Sequence, residues 1–280
     1  LQVPDIGAQR ASSTWSIRLA VLTVALALVA LAGLANPTPA AAAGMKVVII
    51  VGPVGSSTAN YIANARRYAA QARSYGANVV EVYSPNATWS RVKAAAQGAK
   101  ILIYLGHGNG SPSPHGPFSK FRKDGMGLNA SAGHGNSNTK YWGEFYIYSQ
   151  IRLAPAAVVI LNRLCYASGN SEWGRPNPTK SVAMKRADNF ATGFLRAGAK
   201  AVFAEGITDP SYIIYDLFKT DLTMGAIFQS STNYKPALAF QFRSMRNPSY
   251  RTWMAPASPG RYYRSVVGRF DLSAKTVRIA

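Results

Sequence analysis

Ala156-Ala-Val-Val-Ile-Leu-Asn-Arg-Leu-Cys165-Tyr-Ala-Ser-Gly169 is the stretch on which the reading of this chain turns. It opens as an apolar, β-branched run bounded by polar turn residues. That pattern predicts a strand over Ala156 to Leu164, buried on both faces. It ends on the single cysteine of the chain, followed by Tyr-Ala-Ser-Gly. A side chain at the carboxyl end of a buried parallel strand sits at the sheet edge where open α/β folds place ligands and chemistry.

Working upstream, Lys100-Ile-Leu-Ile-Tyr-Leu-Gly106 has the same design, and His107-Gly108 follows it directly. A lone cysteine with a histidine roughly fifty residues before it is a nucleophile-and-base arrangement. The chemistry accounts for the pairing. A thiol is weakly ionised at neutral pH, and an imidazole can take its proton or stabilise the thiolate. The competing reading of Cys165 is a small buried hydrophobe, a common fate of free cysteine.

Further out, strands are predicted at Met45 to Val51 and Asn78 to Tyr83, with helices at Thr58 to Tyr75 and Thr88 to Gln97. Tyr61, Ala65, Tyr68, Ala69 and Ala72 form the inward stripe of the first helix, and Gly76 stops it. The turn after the first strand, Gly52-Pro-Val-Gly55-Ser-Ser-Thr58, lacks the Lys of a phosphate loop and the dinucleotide glycine spacing, so nucleotide binding is not expected. Strand and helix alternate, which implies a parallel sheet.

Downstream of His107, residues 109–142 form a long segment rich in Gly, Ser, Pro and Asn. It carries Phe118, Phe121 and Trp142 and is read as a substrate-facing flap. Glu144 to Tyr148 reads as a short strand. Beyond Cys165, a Gly/Pro-rich loop (170–180) leads to a helix at Val182 to Arg196 and a fifth core strand at Ala199 to Ala204, with Glu205-Gly206 at its end. Asp209 to Phe228 is predicted helical in two pieces broken near Thr220, Pro236 to Arg246 as a helix, and Tyr262–Phe270 with Lys275–Ile279 as a terminal hairpin.

The N-terminal part has its own character. Ile17 to Leu34 is apolar, Arg10 and Arg18 precede or open it, and Asn36-Pro-Thr-Pro-Ala-Ala-Ala-Ala43 follows. This is the pattern of a secretory signal with a small-residue cleavage site near Ala43. A membrane anchor is the other reading of the same run. Residues 44–280 then make one α/β domain, secreted or held at the cell envelope, with no stable membrane span once the signal is removed.

The 280 residues hold 31 Lys and Arg against 11 Asp and Glu, a formal net charge of +20. Such a surface attracts polyanions. The positive residues are scattered, with no basic run, so no specific nucleic-acid arm is expected and anionic envelope polymers are the expected partners. The three histidines, His107, His115 and His134, each precede a glycine. None has the i, i+4 spacing of a helical metal pair, so no metal and no cofactor is expected.

Strand-His107-Gly108, strand-Cys165, and Phe194-Leu-Arg-Ala-Gly-Ala-Lys-Ala-Val-Phe203 together resemble the caspase-like cysteine peptidases, which include caspases, gingipains, clostripain, legumain and separase. Gly106-His107-Gly108 and Cys165-Tyr-Ala-Ser are most similar to the bacterial, gingipain-like branch. The resemblance spans Lys46 to Gly206. It implies a three-layer α/β/α sandwich with a mostly parallel central sheet and an exported cysteine endopeptidase acting on peptides or proteins. By the same resemblance Cys165 attacks the scissile carbonyl, His107 protonates the leaving amine, and the backbone N–H groups of Gly108 and Cys165 bind the oxyanion. The residues after Cys165 depart from the caspase Cys-Arg-Gly sequence, which speaks against caspase-type aspartate specificity.

Glu205, at the end of a core strand on the same edge, is the expected floor of the substrate pocket, with Glu172 and Trp173 beside it. A carboxylate there pairs with the planar fork of arginine, so cleavage after Arg, then Lys, is expected. The alternative to a peptidase is a non-catalytic caspase-like domain that binds anionic envelope polymer or a protein partner.

Overall fold

The computed structural model describes residues 44–135 and 137–280. The expected signal segment, residues 1–43, lies outside the described residues.

Five parallel strands form the centre of one eight-stranded sheet. They are β1 (Lys46–Val51), β2 (Asn78–Tyr83), β3 (Ile101–Leu105), β6 (Val158–Asn162) and β7 (Ala201–Glu205), in the spatial order β2-β1-β3-β6-β7. Three antiparallel strands extend the sheet beyond β7: β10 (Arg264–Gly268), β9 (Arg251–Met254) and the edge strand β8 (Phe240–Arg243). β4 (Met126–Asn129) and β5 (Thr139–Trp142) make a separate hairpin.

The apolar runs explain why the central strands are buried on both faces. Successive strand side chains point to opposite faces. Val47, Ile49, Ile101, Ile103, Val158, Ile160 and Phe203 therefore serve one layer. Val48, Ile50, Leu102, Tyr104, Val159, Leu161 and Val202 serve the other. The first layer is closed by α1 (Thr58–Ser74), α5 (Ser211–Lys219), α6 (Met224–Ser230) and α7 (Ala274–Ile279). The second is closed by α2 (Trp89–Ala96), α3 (Glu144–Gln150), α4 (Lys180–Arg196) and the β4–β5 hairpin. The result is the three-layer α/β/α arrangement with a mostly parallel sheet that the strand–helix alternation implied.

Three elements differ from the sequence reading. Glu144–Gln150 is helical, not a strand. Its near-alternating aromatics mimic strand periodicity, but Phe145 and Tyr146 pack on Phe121 and Trp142, and Glu144 in the first turn suits a helix N-terminus. Pro236–Arg246 is not one helix. Pro236 opens a single 3₁₀ turn, and Phe240 and Phe242 then lie on one face of an edge strand. The C-terminal hairpin does not form either. Arg264–Gly268 pairs with β7 and β9, while Ser273 caps Ala274–Ile279 as a helix by accepting from the Thr276 N–H at 3.1 Å.

Part of residues 109–142 belongs to the core. Lys123 to Asn129 are buried, and β4 inserts Met126 and Leu128 into the second layer. The hairpin lies so close to the turn after β1 that a Cβ on Gly52 would stand 2.1 Å from the Gly127 carbonyl oxygen. That approach requires glycine at position 52.

Candidate active site

β3, β6 and β7 end level with one another. Leu105 is registered with Asn162, and Asn162 with Glu205. Asn162 ties the edge together, donating from Nδ2 to the carbonyls of Glu205 at 3.0 Å and Thr208 at 2.9 Å, and accepting from the Tyr68 hydroxyl at 3.3 Å. The strand thus ends at Asn162 rather than Leu164, and Cys165 sits in the turn that follows. Two non-glycine residues of that turn, Arg163 (φ 61) and Tyr166 (φ 70), are left-handed. Such residues cost on the order of 1–3 kcal/mol each and cluster at functional sites.

His107 leaves β3 through Gly106. The buried Tyr104 hydroxyl holds this turn. It lies 3.0 Å from the His107 carbonyl and 2.9 Å from that of Gly127, and accepts from the Gly127 N–H at 2.8 Å. One hydroxyl thereby links the His107 turn to the hairpin.

The structure brings the two expected turns together. A Cβ added to Gly108 would stand 1.9 Å from the Cys165 carbonyl oxygen and 3.1 Å from its nitrogen. Only glycine allows that approach. Among the described residues, neither the Gly108 nor the Cys165 N–H donates to a protein acceptor, so both are free to receive a ligand oxygen.

The electrostatics leave the two groups neutral at pH 7. Burial pushes the Cys165 thiol above its ordinary value, the Glu172 carboxylate adds to that, and the Trp173 backbone N–H partly offsets it. Partial desolvation holds His107 below the ordinary imidazole value, against the pull of Glu172, although the residue as a whole is exposed. A neutral imidazole can accept the thiol proton as bond formation begins.

A cleft of about 550 Å³ opens beside Cys165. Its sides are aromatic, from Tyr61, Tyr262 and Tyr263, and Trp173 stands at it 96% exposed. Glu172 lies in the cleft with one carboxylate oxygen already engaged. Its Oε1 accepts from the Tyr166 hydroxyl and from His115 Nε2, each at 2.8 Å, with Arg175 Nε at 3.6 Å. Burial alone would raise this carboxyl; the Tyr166 and His115 hydrogen bonds outweigh it and hold Glu172 below the ordinary range.

Glu205 is not part of the cleft. It is 0% exposed and points into the first layer, where it pairs with Arg264, itself 2% exposed. Strand ends alternate faces like the rest of a strand, and this register turns the side chain away from the edge. The expectation of a Glu205 floor, and with it the argument for cleavage after Arg, is overturned. Arg163 and Arg261, which line the cleft instead, were missed. Arg163 stood inside the opening stretch, as a cation between a buried strand and Cys165. Arg261 reaches the site only through the β9–β10 connection, which no local signal reveals. His115 binds Glu172, His134 is exposed in the hairpin loop, and among the described residues no cluster of three or more His, Cys, Asp or Glu is arranged to hold a metal.

Asp124 anchors the loop that follows His107. Its backbone N–H donates to the Asn109 carbonyl at 2.9 Å, and its Oδ1 accepts from the Ser111 N–H at 3.0 Å. Burial, only partly opposed by the Ser111 hydrogen bond, Arg246 and Lys123 and reinforced by Glu144, raises its pKa from 3.8 to about 8. Between those values the folded chain holds more protons than the unfolded chain, so this group lowers stability as pH rises through the window and no further above it. Asp124→Asn keeps the Ser111 acceptor and tolerates φ 60. The variant is therefore expected to gain melting temperature over the wild type progressively from pH 4 to 8. Thermal melts across that range check it, and a constant difference would refute the assignment.

No family model matches the chain, and no curated protein matches it. The chain is similar to gingipain R. That solved structure, an Arg-specific cysteine proteinase, shares 14% identity with a TM-score of 0.37, covering 85% of this chain and 63% of its own. This chain thus spans less than two thirds of the gingipain R chain. A structural-genomics protein from Geobacter sulfurreducens shares 14% identity with a TM-score of 0.33, over 67% of this chain and 87% of its own. Likeness at this level is a distant one of fold, and the functional argument rests on this chain's own residues.

Proposed function

We propose that the chain hydrolyses peptide bonds by a cysteine mechanism, with Cys165 as nucleophile and His107 as proton carrier. The observation that carries this reading is the packing of the Gly108 backbone on that of Cys165 at the carboxyl edge of adjacent parallel strands. This packing supports the reading by bringing the turn that carries His107 against the turn that carries Cys165, beside an open cleft. The Cys165 sulfur would attack the carbonyl carbon while its proton passes to His107. The N–H groups of Gly108 and Cys165 would hold the oxyanion, a contribution that is often the largest in acyl transfer. His107 would return the proton to the leaving amine, and water would release the acyl group. The signal-like pattern of residues 1–43 supports a site of action outside the cell or at the envelope.

The test is hydrolysis of a mixed quenched-fluorescent peptide library by the wild type and by Cys165→Ala. Hydrolysis is expected in the first and not in the second. The thiol's raised pKa also predicts iodoacetamide alkylation that accelerates with pH beyond the range of an ordinary thiol, because the thiolate is the nucleophile. Hydrolysis indifferent to Cys165→Ala would remove Cys165 from the chemistry, and hydrolysis absent from the wild type would favour the second reading. That reading is a non-catalytic domain holding anionic polymer, and it is supported by the +20 charge and the unactivated thiol.

A further inference from the structure

The cleft beside Cys165 carries an imbalance of charge that its position makes informative. Arg163, Arg175 and Arg261 line it, against the single carboxylate of Glu172. Glu172 is already engaged by Tyr166, His115 and Arg175. Arg163 and Arg261 make no ion pair with any described residue. The Arg163 Nε atom is moreover shielded from water and has no hydrogen-bond partner.

A buried donor without an acceptor is costly to maintain, and natural structures seldom keep one without a reason. Here the guanidinium has lost part of its hydration before any ligand arrives. An incoming carboxylate would meet the unpaired guanidinium at its terminal nitrogens, a planar fork of matching geometry. A lysine or arginine side chain would meet three guanidinium groups and one carboxylate with a single oxygen left. The tyrosine walls suit the methylene groups that carry a side-chain carboxylate to that depth.

We infer that this cleft is a carboxylate pocket in which Arg163, assisted by Arg261, selects an Asp or Glu side chain on the bound peptide. Placing that residue immediately before the cut bond rests on the reading of Cys165 as the attacking group; the pocket's preference for acid does not. It runs opposite to the arginine preference that Glu205 suggested from sequence.

The experiment separates the two. Calorimetric titration of the full chain carrying Cys165→Ala measures binding without turnover. The probes are blocked hexapeptides identical but for one central residue: Glu, Asp, Gln, Lys or Arg. The Glu peptide is expected to bind about ten- to a hundredfold more tightly than its neutral isostere Gln, as a charge-assisted hydrogen bond predicts, and Lys and Arg peptides more weakly still. Adding Arg163→Gln should erase the Glu–Gln difference, and an unchanged thermal melt would show that the loss is not misfolding. Arg163→Lys should restore part of it, since charge returns without the fork. Equal binding of Glu and Gln peptides, tighter binding of Lys or Arg peptides, or an acidic preference that survives Arg163→Gln would overturn the inference. Hydrolysis by the wild type after Arg or Lys would sink it while sustaining the peptidase reading. Acid-selective binding with no hydrolysis would do the reverse.

Discussion

Glu205→Ala is expected to lower the unfolding free energy by about 3–5 kcal/mol, the usual cost of leaving one member of a buried ion pair alone. Glu205 and Arg264 face each other across the β7–β10 register and both lie out of reach of water. Arg264 Nε donates to both carboxylate oxygens, at 3.1 and 2.9 Å. Its Nη2 donates to the Tyr212 hydroxyl at 2.8 Å and to the Phe228 carbonyl at 3.0 Å, and the Tyr212 hydroxyl donates back to Glu205 at 2.6 Å. Burial alone would depress the Arg264 guanidinium, but Glu205 and Tyr212 more than offset it, so the arginine stays charged. Removing the carboxylate strands that charge beside Phe228. Urea unfolding measures the loss, and a change below about 1 kcal/mol, the scale of an exposed pair, would contradict this account. Replacing both partners by apolar residues of similar volume should be far milder than either single change, because no buried charge is left over. None of these variants should alter which peptides bind, since the network lies beneath the sheet edge rather than in the cleft.

That network also shows where sequence reasoning stopped. The five parallel strands and most of their helices were legible because each is a local pattern: a Val/Ile run, a 3.6-residue stripe, a stopping glycine. His107 and Cys165 were legible as strand-end residues, since chain order alone puts them on one edge of a parallel sheet. Alternation along β7 puts Glu205 on the face of Phe203, but the Arg264 it meets there sits on β10, a strand almost sixty residues later that the sequence paired differently. The Glu144 helix failed for a related reason, its aromatics being arranged for contacts with Trp142 and Phe121 rather than for strand alternation. The charge of the cleft was only partly within reach, because Arg163 and Arg175 flank Cys165 in the chain whereas Arg261 joins them only after β10 pairs with β7.

His107→Ala is expected to reduce peptide hydrolysis by about 10²–10⁴-fold, the range of a general acid–base group, and to do so unevenly across leaving groups. An amine cannot depart from the tetrahedral intermediate until its nitrogen is protonated, whereas p-nitrophenolate leaves without help. The loss on a peptide substrate should therefore be much larger than on a p-nitrophenyl ester of the same acyl group. This asymmetry separates a proton carrier from a residue that only shapes the site, because a structural defect would slow both. The pH profile gives a second readout. The imidazole is held below its ordinary value by desolvation, so the wild type should retain the neutral, proton-accepting form to lower pH than an ordinary histidine would. The thiol is held above its own ordinary value, so the proposed attack would depend on transfer to His107 rather than on a standing thiolate. In His107→Ala the residual ester hydrolysis should then keep rising with pH, following ionisation of Cys165 alone. Kinetics of matched peptide and ester substrates from pH 5 to 10 decide the matter. Equal losses on the two substrates, or a pH profile unchanged by the substitution, would remove His107 from the chemistry.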